Sequence, residues 1–126
     1  TNAVKNYYGS NKKLIIGDLN AKVDWGSAYD YVDAIIALQK LKKSSNFVIA
    51  TGRTYKVKEF VKIAYNYLGL DYKKFVIEDN NIIFRNTSYR CGNPYKLKRK
   101  TGWEPKKSFE LMIKEMVDYH LKKNEK

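Results

Sequence analysis

The chain is poor in the residues that staple or punctuate a fold. A single cysteine, Cys91, excludes an internal disulfide. A single histidine, His120, leaves too few nitrogen and sulfur donors for a tetrahedral zinc site, and no dense carboxylate cluster replaces them. Only two prolines occur, Pro94 and Pro105, both late in the chain. With no internal repeat and no Gly/Ser or Pro linker, residues 1–126 read as one domain. No apolar run approaches the ~20 residues that a membrane span needs. The opening TNAVKNYYGS lacks the apolar core of a signal peptide. These absences point to a cytoplasmic protein with no membrane partner. No methionine opens the chain, which therefore reads as a processed or truncated fragment.

What is present suits a folded domain: 44% hydrophobic and 30% charged residues. Lysine and arginine total 25 against 13 acidic residues, a net charge of +12 that favours phosphorylated or polyanionic partners. Lys, Asn, Tyr and Ile are all abundant, as AT-rich codons would give. The total charge is therefore weighed lightly, and basic residues are argued one at a time.

Periodicity places the elements. Residues 3–8 read as a helix stopped by Gly9 and Ser10, and 14–16 as a short strand. Val32, Ile35, Ile36 and Leu38 give residues 30–43 a helical stripe, with Asp30 as N-cap. Residues 47–50 read as a buried strand ending in Thr51-Gly52. Val57, Phe60, Val61, Ala64 and Leu68 share one helix face, with Gly69 as the C-terminal stop. Residues 75–77 and 82–84 read as strands, either a hairpin or members of separate sheets. Pro94 starts a helix over 95–100, which Gly102 ends. Ser108 caps a last helix facing inward through Phe109, Ile113, Met116, Val117 and His120. Met112 and Met116 read as core filler, and Trp103 as buried against this last helix. Short strands alternating with about four to five helices predict an α+β domain.

Three stretches carry more. They are GDLNAKVDWGSAYDYVDA at 17–34, FVIATGRTYKVKEFV at 47–61 and GNPYKLKRKTGWEPKKSFE at 92–110. In this order they resemble the C-terminal third of the GDP-mannose 4,6-dehydratase family, within the extended short-chain dehydrogenases/reductases. The resemblance runs from about residue 3 to about residue 119. It implies a small substrate-binding domain of an extended Rossmann-type dehydratase. The cofactor-binding Rossmann half would lie upstream, absent from these residues. The full protein would convert GDP-mannose to GDP-4-keto-6-deoxymannose with NADP, as a homo-oligomer.

The resemblance also names site residues. The family's Arg-Pro-x-Glu element falls on Arg85-Asn86-Thr87-Ser88. Its diphosphate-binding arginine matches Arg85, while Ser88 replaces the glutamate. The family's Lys-Arg-Asp-Trp-Gly falls on Lys22-Val23-Asp24-Trp25-Gly26, so Val23 stands where a second diphosphate-binding arginine is expected. Valine donates no hydrogen bond, and Lys22 is the nearest substitute. Lys22, Val23, Arg85 and Ser88 are thus the candidate substrate-binding positions. Asp24 reads as a bracing carboxylate, Trp25 as a packed indole and residues 17–20 as architectural. Lys56 occupies the usual serine cap before Glu59, which breaks the capping box and predicts a frayed first turn.

The reaction machinery is missing from the sequence. No Gly-x-x-Gly-x-x-Gly occurs. Tyr-x-x-x-Lys occurs at Tyr8/Lys12 and Tyr119/Lys123, but with 11 Tyr and this much Lys about two chance matches are expected. No catalytic, cofactor-binding or metal-binding residue is therefore assigned to the chain. NADP would be held by the missing half, and GDP-mannose weakly if at all. Val23 and Ser88 also admit a divergent or inactive domain for another nucleotide sugar. A more distant alternative is a nucleic-acid-binding domain built on Lys96-Leu97-Lys98-Arg99-Lys100 near Trp103.

Overall fold

The structure, a computed structural model, describes residues 1–82 and 90–124. Five helices and four short strands follow in the order α1 (Asn2–Tyr7), β1 (Leu14–Ile16), β2 (Lys22–Val23), α2 (Ala28–Gln39), β3 (Tyr55–Lys56), α3 (Val57–Tyr67), β4 (Val76–Glu78), α4 (Tyr95–Thr101) and α5 (Phe109–Asn124). Two single-turn 3₁₀ segments, Tyr72–Lys74 and Asn80–Ile82, flank β4. This is the α+β architecture that the periodicity predicts. Among the described residues no helix is long and apolar enough to cross a membrane.

The strands form two separate pairs. β1 and β4 run parallel, in the register Leu14–Val76, Ile15–Ile77, Ile16–Glu78. β4 thus pairs with a strand some sixty residues upstream rather than forming a hairpin. β2 and β3 run antiparallel, and Val23 is bridged on its other side to Arg90. Ile82 closes a 3₁₀ turn instead of opening a strand, and residues 83 and 84 lie outside the described residues.

The larger core joins both ends of the chain. Val4 of α1, Val61, Ala64 and Tyr65 of α3, and Phe109, Ile113 and Val117 of α5 are buried together. Each such aliphatic side chain contributes about 1.5–3 kcal/mol on burial. The Tyr65 hydroxyl donates to Asn6 Oδ1 at 2.9 Å, and Asn6 Nδ2 donates to the carbonyls of Ser10 and Lys12. One amide therefore ties α1, its exit loop and α3.

Helix ends follow sequence chemistry, with one correction. α3 stops in a Schellman arrangement: Leu70 N–H donates to Tyr65 O and Gly69 N–H to Asn66 O, with Gly69 at φ +72°. Ser108 Oγ accepts from Leu111 N–H, the expected cap of α5. The first turn of α3, however, is not frayed. Glu59 Oε2 still accepts from Lys56 N–H at 2.6 Å, although a lysine ammonium cannot accept in return. Val57 and Lys58 N–H donate instead to the carbonyls of Ala21 and Leu19 at 3.0 and 2.8 Å. The loop before β2, distant in sequence, supplies acceptors for these first-turn amides in place of a capping side chain.

A second, smaller core holds Ala34, Leu97 and Trp103, with Tyr31, Leu38, Phe47 and Ile49 packed against it. Here the structure departs from the expected stripe. α2 begins after Ser27 and ends at Gln39. Val32, Ile35 and Ile36 face out, while Asp30 and Ala34 face in. Asp30 is not a cap: its Oδ2 accepts from Lys106 and Lys107 N–H at 3.1 and 3.0 Å. Those two amides, just past Pro105, require an acceptor, and this turns α2 toward them. Trp103 packs against α2 and α4 rather than α5, its Nε1 donating to Asp30 O at 2.9 Å. The indole against α5 is Trp25, whose ring lies 5.6 Å from that of Phe109. Met112 does fill the core edge, but Met116 is exposed.

Candidate functional site

The β2–α2 junction organises the surface around Val23. Asp24 Oδ1 accepts from Thr51 N–H at 3.0 Å and from the Thr51 hydroxyl. Its Oδ2 accepts from Gly52 N–H at 3.0 Å and Gly92 N–H at 3.2 Å. One carboxylate thus gathers three segments, at 23–24, 51–52 and 91–92. Gly92 is needed there, because a Cβ would sit 2.3 Å from Ala50 Cβ and 3.3 Å from Val48 Cγ1. The bracing role expected of Asp24 is what the geometry gives.

This clasp forms one wall of a shallow groove of about 470 Å³, lined by Val23, Tyr31, Val48, Ala50, Arg90 and Cys91 among others. Burial, then the negative charges of Asp24 and Asp30, push the Tyr31 phenol above its ordinary value of 10.0, so it stays a neutral donor at pH 7. Arg90 is exposed and has no ion pair among the described residues. An arginine at a groove rim presents a planar fork suited to a diphosphate.

Of the positions chosen from sequence, Val23 lies half-buried on β2, between Tyr55 and Arg90. Lys22 is exposed, paired in register with Lys56. Arg85 and Ser88 lie outside the described residues. The structure therefore brings Val23 beside Arg90, a residue that sequence reasoning passed over. Arg90 precedes Cys91-Gly92 with no motif of its own, so only the strand bridge reveals it.

A second cleft, of about 440 Å³, is lined by Trp25, Tyr55, Phe109, Arg53, Lys98 and Lys107, among others. Its aromatic floor is tight, with Tyr55 and Phe109 stacked 4.0 Å apart at 4°. Its lysines are largely neutralised: Lys98 pairs with Glu104, Lys106 with Asp33 and Lys107 with Glu115. Arg53 on this cleft, like Arg90 on the Val23 groove, has no ion pair among the described residues.

β1 runs into a glycine, but the amides beyond it are already engaged. Leu19 N–H donates to Glu78 Oε1 at 2.8 Å and Asn20 N–H to Asp18 Oδ1 at 2.7 Å. A pyrophosphate cradle needs such N–H groups free, at the mouth of a helix. Residues 17–20 are architectural, as expected.

Comparison with known proteins agrees with this construction. The family described as GDP-mannose 4,6 dehydratase matches residues 1–116. GDP-mannose 4,6 dehydratase 1 of Arabidopsis thaliana is 38% identical over 115 residues, covering 90% of this chain and 32% of the relative. The GDP-mannose 4,6 dehydratase of Dictyostelium discoideum is 34% identical, covering 86% of this chain and 36% of the relative. The chain thus spans about a third of the length of the curated relatives it matches. Among solved structures, RMD from Pseudomonas aeruginosa complexed with NADPH superposes with a TM-score of 0.84 at 16% identity, over 97% of this chain and 40% of that one. The dTDP-glucose 4,6-dehydratase of Bacillus anthracis in complex with NAD gives 0.82 at 25% identity, over 98% of this chain and 38% of that one. A sequence match that reaches through the β2–α2 clasp, both clefts and the first half of α5 leaves one assignment: the chain belongs to the GDP-mannose 4,6 dehydratase family.

Proposed function

We propose that these residues form the substrate-side part of a nucleotide-sugar dehydratase acting on GDP-mannose, and that they hold the diphosphate side of the substrate. Two-thirds of the relatives' length lies outside the match, so cofactor and catalytic groups would come from there. NADP, when bound by that portion, supplies hydride transfer; none of the residues described here fits it. The observation carrying the reading is the match over residues 1–116, with Val23 and Arg90 side by side on the groove. Arg85 and Lys22 complete the proposed cationic set. Ser88 takes a position from which the family's carboxylate is absent.

The substrate contact at position 23 is weakened. A charge-assisted hydrogen bond contributes about 1.5–3 kcal/mol, so replacing arginine by valine costs about tenfold to a hundredfold in affinity. Calorimetric titration with GDP tests this. Weak binding is expected, weaker still for the monophosphate, and lost in Arg85→Ala. Val23→Arg should recover about tenfold or more. Equal affinity for GDP in all three proteins refutes the diphosphate clamp. The substitutions at 23 and 88 also favour a second reading, a binding domain for another nucleotide sugar. Tighter binding of a uridine or thymidine diphosphate sugar than of GDP-mannose would select it.

A further inference from the structure

We propose that one face of the protein, formed by the connection after α2, by α4 and by the cleft below Lys98, binds single-stranded nucleic acid. This activity is separate from the dehydratase assignment and needs neither GDP nor a cofactor.

Net charge is concentrated in two segments. Residues 40–56 and 90–107 contain twelve of the 25 basic residues but one of the 13 acidic ones, Glu104. Their net charge is +11 out of the chain's +12, so the rest of the chain is close to neutral. AT-rich codons raise lysine along the whole chain and do not remove carboxylates from two segments. A helix C-terminus favours cations in its last turn, which accounts for part of α4 but not for Arg53, Arg90 or Lys106. Charge asymmetry of this kind is the footprint of a polyanion site.

The fold places both segments on one side. Lys96 Nζ donates to Ser45 Oγ at 2.5 Å and to Asn46 O at 2.9 Å. Phe47 and Ile49 share the small core with Leu97 and Trp103. Lys40, Lys42 and Lys43 lie on the connection that Lys96 anchors, and Lys96, Arg99 and Lys100 stand at i, i+3 and i+4 on one face of α4. All six are exposed, and none has an ion pair among the described residues. Lys98 leads from α4 into the cleft of about 440 Å³, which Arg53 and Lys106 also line. The pairs Lys98–Glu104 and Lys106–Asp33 are exposed, and exposed pairs contribute little, so phosphates can replace those carboxylates.

A single strand needs aromatic faces as well as cations. Tyr95 is 63% exposed on α4, with Arg99 5.8 Å from its ring centroid. Trp25 and Tyr55 add ring surface in the cleft. A base stacked on Tyr95 would set its flanking phosphates toward Arg99 and Lys100. A membrane fits less well: the one aliphatic residue of α4, Leu97, is fully buried, so the helix has nothing apolar to insert. An acidic polypeptide supplies the charge but not the bases that Tyr95 would hold.

Fluorescence anisotropy of this chain with labelled oligo(U) and oligo(dT) of about twelve nucleotides tests the proposal. Contact with about four to six phosphates gives a log–log salt slope of about −3 to −4, a loss of about 60- to 250-fold between about 50 and 200 mM salt. Lys42→Ala/Lys43→Ala and Arg99→Ala/Lys100→Ala should each make the slope shallower by about 1.4 and weaken both oligonucleotides alike. Tyr95→Ala should weaken binding by about fivefold or more with the slope unchanged. Lys122→Ala/Lys123→Ala, at the end of α5, should change affinity by less than about twofold. Should an α4 variant lower the Tm by more than about 2 °C, Arg99→Gln/Lys100→Gln takes its place. Binding to neither oligonucleotide at about 50 mM salt, unchanged affinity in Tyr95→Ala, or an equal loss in the α5 control overturns the proposal. So does tighter binding of polyglutamate or of phosphatidylserine vesicles than of both oligonucleotides. Within the proposal, tighter binding of oligo(U) assigns RNA and tighter binding of oligo(dT) assigns DNA.

Discussion

Replacing Asp24 by asparagine keeps the shape of the side chain and reverses one of its two hydrogen-bonding ends. Each carboxylate oxygen now takes two donors: Thr51 N–H and hydroxyl on Oδ1, Gly52 and Gly92 N–H on Oδ2. An asparagine can set its oxygen toward Gly52 and Gly92 N–H and its NH₂ toward Thr51, whose hydroxyl can turn to accept and has the Arg53 carbonyl as another acceptor at 3.1 Å. Thr51 N–H then loses its acceptor; the opposite turn of the amide strands two N–H groups, Gly52 and Gly92. An unsatisfied buried donor costs about 1–3 kcal/mol, so the expected loss for Asp24→Asn is about 1–3 kcal/mol. Asp24→Ala takes the acceptor from all three N–H groups and should cost more, with the sum below additive. In urea, with a slope of about 1–3 kcal/mol per molar, the midpoint of Asp24→Asn should fall by about 0.5–1.5 M with the slope unchanged. The reasoning is refuted if Asp24→Asn is as stable as the parent chain, or if Asp24→Ala is no worse than Asp24→Asn.

Three further outcomes follow from packing and capping. Gly92→Ala should cost about 1–3 kcal/mol because its methyl would meet Ala50 at 2.3 Å, and a neutral result in thermal melts would show that 47–50 does not pack on 91–92. Glu59→Ala should lower stability by about 0.5–1 kcal/mol through loss of the acceptor for Lys56 N–H, while Glu59→Gln keeps it; equal urea midpoints for the two variants would contradict the capping account. Burial raises the Tyr65 phenol above 10.0, so the unfolded chain ionises first and stability should fall as pH climbs past about 10 and through the raised folded value. Tyr65→Phe should flatten that part of the pH–Tm curve while losing about 1–2 kcal/mol at pH 7 as Asn6 Oδ1 loses its donor.

The parts of the fold that periodicity reveals are those whose partners lie in the chain. The stripe of α3 and that of α5 through Phe109, Ile113 and Val117 meet each other, and both were legible. α2 was not, because hydrophobicity marks an apolar residue but not which body covers it. Val32, Ile35 and Ile36 read as core, whereas the demand of Lys106 and Lys107 N–H for Asp30 turned the helix the other way. Residues 47–50 read as a strand for the same reason and find no backbone partner among the described residues. The cap of α3 was misjudged because Ala21 and Leu19, distant in sequence, supply its acceptors. At the candidate site, the bracing role of Asp24 was visible in its motif, while Arg90 emerged only through its bridge to Val23.

Val4 of α1 shares its buried cluster with Ile113 and Val117 of α5, at the other end of the described residues. The parallel pairing of 14–16 with 76–78 likewise waits for a distant segment. Long-range closure of this kind slows folding and prolongs exposure of apolar surface. During synthesis the segment up to α4 therefore travels without a finished interior, a window in which chaperone capture competes with self-assembly. Loss of α5, with Phe109, Ile113 and Val117, would strand the nascent segment in that state, whatever the integrity of its ligand groove.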